Sequence, residues 1–148
     1  MIKARTTLQN LQQLLTLKDA DVARLQREVA DKRQLQERYQ RNIQRMDELC
    51  RHSGASGSRT LPALALNCAG YKDALLQLKQ SQQLDLQLAE ADTAVSQQAL
   101  LAASLRREVL MSLQQRTAAD LAQQQQRQEQ KRSDDQASLA WLRQQGPM

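Results

Sequence analysis

The sequence has no Phe, one Trp and two Tyr among its 148 residues. Aromatic side chains carry much of the area buried in globular cores, so an ordinary globular core is not expected. Glycine (four) and proline (two) are also scarce, too few for a sheet protein built on tight turns. A single His, no phosphate-cradling GxxxxGK, no HExxH and no Ser/His/Asp constellation leave nothing to carry catalysis. The expectation is a protein that is not an enzyme and holds no cofactor or metal. Two cysteines, Cys50 and Cys68, make no disulfide framework. The longest apolar run, Leu61–Leu66, falls far short of the ~20 residues that span a bilayer. The first residues lack the apolar stretch of a secretory leader. These absences suggest a cytosolic chain with reduced thiols.

What fills the chain is Leu, Ala, Gln, Arg, Lys, Asp and Glu, mostly good helix formers. Such a composition indicates long helices or coiled coil. One stretch breaks it: Ser53-Gly54-Ala55-Ser56-Gly57-Ser58-Arg59-Thr60-Leu61-Pro62 holds two of the four glycines and one of the two prolines. Thr60 is a plausible N-cap for the helix that follows, and Pro62 suits a first turn. Helix one is therefore expected over about 3–52, a loop over 53–61 and helix two over about 62–145. Gly146-Pro147 stops helix two. The whole chain is expected to form a single coiled-coil domain.

Before the break, alternate steps of three and four mark one stripe: Leu8, Leu11, Leu15, Lys18, Val22, Leu25, Val29, Lys32, Gln36, Tyr39, Ile43, Met46 and Cys50. Ten of these thirteen are apolar. A 3.5-residue period sustained that long indicates a left-handed coiled coil. Lys18, Lys32 and Gln36 interrupt the seam and should soften it. After the break the apolar stripe runs through Tyr71, Leu75 and Leu78. It resumes at Ala91, Val95, Ala102, Leu105, Val109 and Leu113, with a phase shift around Leu84, Leu86 and Leu88.

A short loop between long amphipathic helices makes an antiparallel hairpin. The fold class expected is all-α, a long two-helix coiled-coil hairpin with a C-terminal helical overhang. Folding at the loop pairs residues whose numbers sum to about 118. Cys50 then faces Cys68, Ile43 faces Leu75, Val22 faces Val95 and Leu8 lies near Val109 or Leu110. In that register helix one runs out near Leu113, and an overhang from about 114 has no partner within the chain. A polar helix alone in water is marginal, so the overhang is expected to order on a partner.

The net charge of +5 is uneven. Residues 1–52 carry 11 basic and 7 acidic side chains, residues 62–105 carry 2 and 4, and residues 106–145 carry 7 and 5. Interleaved signs without stacking aromatics suit solvated helix faces better than a nucleic-acid site, and no membrane insertion is expected. Around the tip, Tyr39, Ile43, Met46, Tyr71 and Leu75 form the bulkiest cluster. They can serve seam packing or, where exposed, a partner patch.

Two segments of helix two bring a resemblance. Leu113-Gln114-Gln115-Arg116, followed by Gln130-Lys131-Arg132-Ser133-Asp134-Asp135-Gln136-Ala137, resembles the C-terminal signature of the flagellar FliJ family. Arg24-Leu25, Tyr39 through Met46, and Asn67 through Leu75 agree in general character, and the hairpin shape matches across essentially the whole chain. Asp135 stands where Glu is commoner in that family. The resemblance implies a cytoplasmic component of the flagellar type III export apparatus, peripherally associated with the inner membrane. It implies a stalk that enters the hexameric export ATPase through 106–142, with Arg116, Lys131, Asp134 and Asp135 as contacts. It also implies a contact with the membrane export gate through Tyr39, Ile43, Met46, Tyr71 and Leu75, and a role with export chaperones. The free chain is expected to be a monomer. Two other readings stay open: the equivalent stalk of a virulence-type injectisome, and a generic coiled-coil tether.

Overall fold

A computed structural model describes residues 2–52 and 62–146. The expected loop over 53–61, with its Thr60 cap, lies outside the described residues, as does Pro147. The chain forms two helices, α1 (Ile2–His52) and α2 (Pro62–Gln144). They pack against each other as an all-α hairpin, with no strand among the described residues.

The reasons for these elements are local. α1 contains neither Gly nor Pro, so nothing interrupts its backbone hydrogen bonds. Arg51 and His52 occupy its last turn, where positive charge complements the helix dipole. α2 opens on Pro62, whose missing N–H would be unbonded there in any case. It closes with Gln145 N donating to Trp141 O and Gly146 N donating to Arg143 O, which satisfies carbonyls of the last turn. Thr6, Thr7, Thr16, Thr93 and Thr117 each donate their hydroxyl to the carbonyl four residues back, so these polar groups need no tertiary partner.

The contacts divide the chain into two compact units: Val22–Ala102, and Met1–Asp21 with Ala103–Met148. Each holds a segment of both helices.

In the unit Val22–Ala102, the stripe expected on α1 is the one that packs. Val22 and Val29 are buried, and Leu25, Lys32, Gln36, Tyr39, Ile43, Met46 and Cys50 are half-buried. The facing side of α2 departs from expectation. Besides Asp85 at its edge, the covered positions are Cys68, Lys72, Leu75, Lys79, Gln82, Leu86, Ala89, Thr93, Ser96 and Leu100, an unbroken heptad, half of it polar. Of the residues expected there, Leu75 is covered, whereas Tyr71, Leu78, Ala91 and Val95 are exposed. The polar positions are filled in physically distinct ways. Thr93 turns its hydroxyl back on its own helix. Lys79 pairs with Asp47, and its stem covers apolar surface beneath the charge. Ser96 accepts from Lys32 Nζ at 2.6 Å.

In the other unit, Leu11 and Leu121 are buried, and Leu8, Leu15, Lys18, Ala103, Arg107, Leu110, Gln114 and Thr117 are half-buried. Arg107 pairs with Asp19. Leu105, Val109 and Leu113, expected in the seam, are exposed.

The register also differs from the expected one. The interhelical polar contacts Lys32–Asp92, Lys32–Ser96, Glu28–Ser96, Asp47–Lys79 and Asp19–Arg107 join residues whose numbers sum to between 124 and 128. α2 is thus displaced by about one heptad from the pairing expected around 118, and Val95 does not face Val22. The expected pairing maximised apolar-to-apolar matches. The structure instead pairs Asp19 and Asp47 of α1 with bases of α2, and Lys32 of α1 with Asp92. The same displacement moves the start of the overhang. Leu121 is buried and Gln125 half-buried, so unbroken exposure begins at Gln126 rather than at 114.

Candidate partner-binding surfaces

The first candidate surface is the C-terminal stretch of α2. From Gln126 to Gln144 every residue is helical and exposed. Basic Arg127, Lys131, Arg132 and Arg143 alternate with acidic Glu129, Asp134 and Asp135. Lys131, Asp134 and Asp135 fall within about one turn and therefore share a face. Arg116 is exposed as well, but it stands 15 residues earlier, about 22 Å along the axis. The four expected contacts therefore make two stations rather than one site.

Sequence reasoning passed over the apolar end of this stretch. Ala137, Ser138, Trp141 and Leu142 line a shallow cleft, and Trp141, the only Trp in the chain, is 58% exposed. A Trp on a bare helix is costly to leave in water. Its signal was present as the one aromatic of an otherwise polar segment. On the same unit, Arg5 of α1 and Gln125, Gln128, Glu129 and Arg132 of α2 line a polar cleft.

The second candidate surface is the tip cluster, all of it in the unit Val22–Ala102. The structure separates its members. Tyr39, Ile43 and Met46 sit half-buried on the packed stripe of α1. Leu75 is 8% exposed and serves the seam. Tyr71 is about half exposed, as is Leu78 about two turns further along α2. The accessible apolar face near the tip is therefore carried by α2, on Tyr71 and Leu78, more than by the α1 residues. Cys50 and Cys68 are half-buried. His52 is exposed at the end of α1.

The strongest electrostatic feature is structural. Lys32 Nζ donates to Asp92 Oδ1 at 2.9 Å and lies 3.3 Å from Glu28 Oε1. Ser96 Oγ donates onward to Glu28 at 3.4 Å. The hydrogen bond to Asp92 does most to raise the Lys32 ammonium above its ordinary value. Desolvation opposes the rise, and Glu28 reinforces it. The lysine expected to soften the seam instead ties the helices together. Among the described residues no group of His, Cys, Asp and Glu could hold a metal ion. No described helix is long and apolar enough to cross a membrane.

These surfaces are helix faces, some polar and some apolar. A family model, that of the flagellar FliJ protein, matches residues 7–146. The chain belongs to the FliJ family and is a flagellar export-related protein. No curated protein and no solved structure matches it.

Proposed function

We propose that this protein is the stalk-like coiled coil of the flagellar export apparatus, inserting its C-terminal helix into the hexameric export ATPase and coupling it to the export gate. The observation that carries the reading is the helix Gln126–Gln144, fully exposed and of mixed charge. A polar helix of both signs can be held in a pore by many weak contacts without being locked in one orientation, as a moving stalk requires. Arg116, Lys131, Asp134 and Asp135 meet the ATPase in this reading, and Trp141 supplies an apolar anchor beside them. Tyr71, with Tyr39, Ile43, Met46 and Leu75 behind it, faces the cytoplasmic part of the gate protein. The protein works on the cytoplasmic side, peripheral to the inner membrane, and export chaperones are further partners.

The test is a titration of the full chain into the purified cognate ATPase while hydrolysis is followed. Stimulation saturating near one copy per hexamer supports a central stalk. Alanine at Arg116 and at Lys131 should each weaken the stimulation. No stimulation at any ratio refutes the reading.

A further inference from the structure

In the unit Val22–Ala102, α2 carries a second heptad stripe that the hairpin does not use. Leu84, Leu88, Ala91 and Val95 follow steps of four, three and four. The three large side chains are 62%, 70% and 66% exposed. The covered positions of the same stretch, Leu86, Ala89, Thr93 and Ser96, lie roughly 150° round the helix. No rotation of these side chains brings the outer stripe to α1. Its composition is the reverse of the usual order, because two of the four covered residues are polar and none of the four outer ones is. Contiguous exposed apolar surface of this kind marks an interaction site.

The spacing selects the shape of the occupant. A stripe repeating every 3.5 residues stays in register only with another helix that winds round it. Charge selects its chemistry. From Gln80 to Leu105 the chain has Asp85, Glu90 and Asp92 and no Lys or Arg. Asp92 and the half-buried Asp85 border the stripe on one side, and Glu90 lies further round the helix on the other. Asp92 reaches Lys32, yet its side chain remains 61% exposed. A second copy presenting this face would bring only more carboxylates to these edges.

We infer that the Leu84–Val95 face of α2 is the docking site of a partner protein's amphipathic helix, apolar at heptad spacing and flanked by Lys or Arg. The docked helix completes a three-helix coiled coil. Its positive edge meets Asp85 and Asp92, and its apolar seam covers Leu84, Leu88 and Val95. This surface is separate from the helix Gln126–Gln144 and stands whether or not that helix enters an ATPase.

The probe is a labelled synthetic three-heptad helix with Leu in the seam positions and Lys at the flanks, titrated into the full chain and read by fluorescence anisotropy. Its twin carries Glu at the flanks. The Lys peptide should bind saturably, and the Glu peptide at least about tenfold more weakly. Leu88→Asp and Val95→Asp should each weaken Lys-peptide binding by about tenfold or more while the helical circular dichroism and its melt persist. Leu17→Asp, on α1 and 63% exposed, should leave binding unchanged. Because both stripe variants add negative charge, purely electrostatic adsorption would strengthen in them. Strengthened or unchanged binding overturns the inference, as does equal affinity for the two peptides. A dimer of the chain in sedimentation equilibrium that Leu88→Asp dissolves would assign the face to a second copy and overturn it equally.

Discussion

Lys32 of α1 and Asp92 of α2 are joined at 2.9 Å through a seam position that heptad spacing reserves for an apolar side chain. Ser96, buried at the same level, takes a second hydrogen bond from the ammonium. The pair raises the Lys32 pKa above 10.5, so folding favours the charged lysine. The resulting stabilisation is fully present below the unfolded value and disappears as pH climbs through the higher folded one. Lys32→Gln should lower the melting temperature at neutral pH. The gap from the parent chain should hold constant up to about pH 10 and narrow above it. Thermal melts of both chains across the alkaline range would show this. A gap that widens above pH 10.5 would contradict the assignment.

The packed stripe of α1 and the outer stripe of α2 make opposite predictions for the same chemical change. Val29 is buried on the α1 stripe, and truncating it to Ala should cost about 2 kcal/mol. Val95 is exposed, and Val95→Ala should stay within about 0.5 kcal/mol. Urea unfolding of the two variants decides between the observed seam and the one expected from apolar content.

Gln82 lies in the seam with its side-chain oxygen buried and without a hydrogen-bond partner among the described residues. A buried acceptor left unpaired is destabilising. Gln82→Leu removes it and adds apolar surface. The variant should be more stable by about 1 kcal/mol, seen as a higher denaturation midpoint at unchanged slope.

Gly70 lies inside α2, and a β-carbon there would meet nothing within 4 Å. Gly70→Ala should therefore gain about 0.5–1 kcal/mol through helix propensity alone. A loss of stability on melting would mean that the position is packed or distorted.

Leu121 separates the paired part of α2 from the exposed part. Removing everything after Gln125 deletes no described residue that is covered and should leave the melting temperature almost unchanged. Ending the chain at Leu113 removes buried Leu121 and should lower the melting temperature clearly. Equal melts for the two truncations would place the end of pairing at 114 after all.

The stripe of α1 was legible in the sequence at all thirteen positions, because α1 has one apolar face and no competitor. The pattern on α2 misled because that helix has two stripes, and the more apolar one turns outward. Lys72, Lys79 and Arg107 were passed over as seam residues, although their aliphatic stems pack while their charges reach the edge. The register was missed for a related reason. Sliding by a heptad leaves Leu-rich helices almost equally well matched, and the deciding partners were Asp19, Asp47 and Asp92, which an apolar count ignores. Of the expected contact residues, Arg116, Lys131, Asp134 and Asp135 are on the surface, as their polarity suggested. Leu75, expected on the seam opposite Ile43 and, through the resemblance, at the gate, is buried on the seam.

The three carboxylate–cation pairs between the helices have a mechanical consequence. A slip of one heptad moves α2 by about 10 Å along α1, so apolar side chains meet new apolar neighbours at little cost. The same slip parts Lys32 from Asp92, Asp47 from Lys79 and Asp19 from Arg107, and solvent screens what attraction remains. Each pair is weak as a source of stability, but each opposes sliding in both directions. They act as the teeth of a rack, so that a push along one helix is passed to the other rather than lost in creep between them.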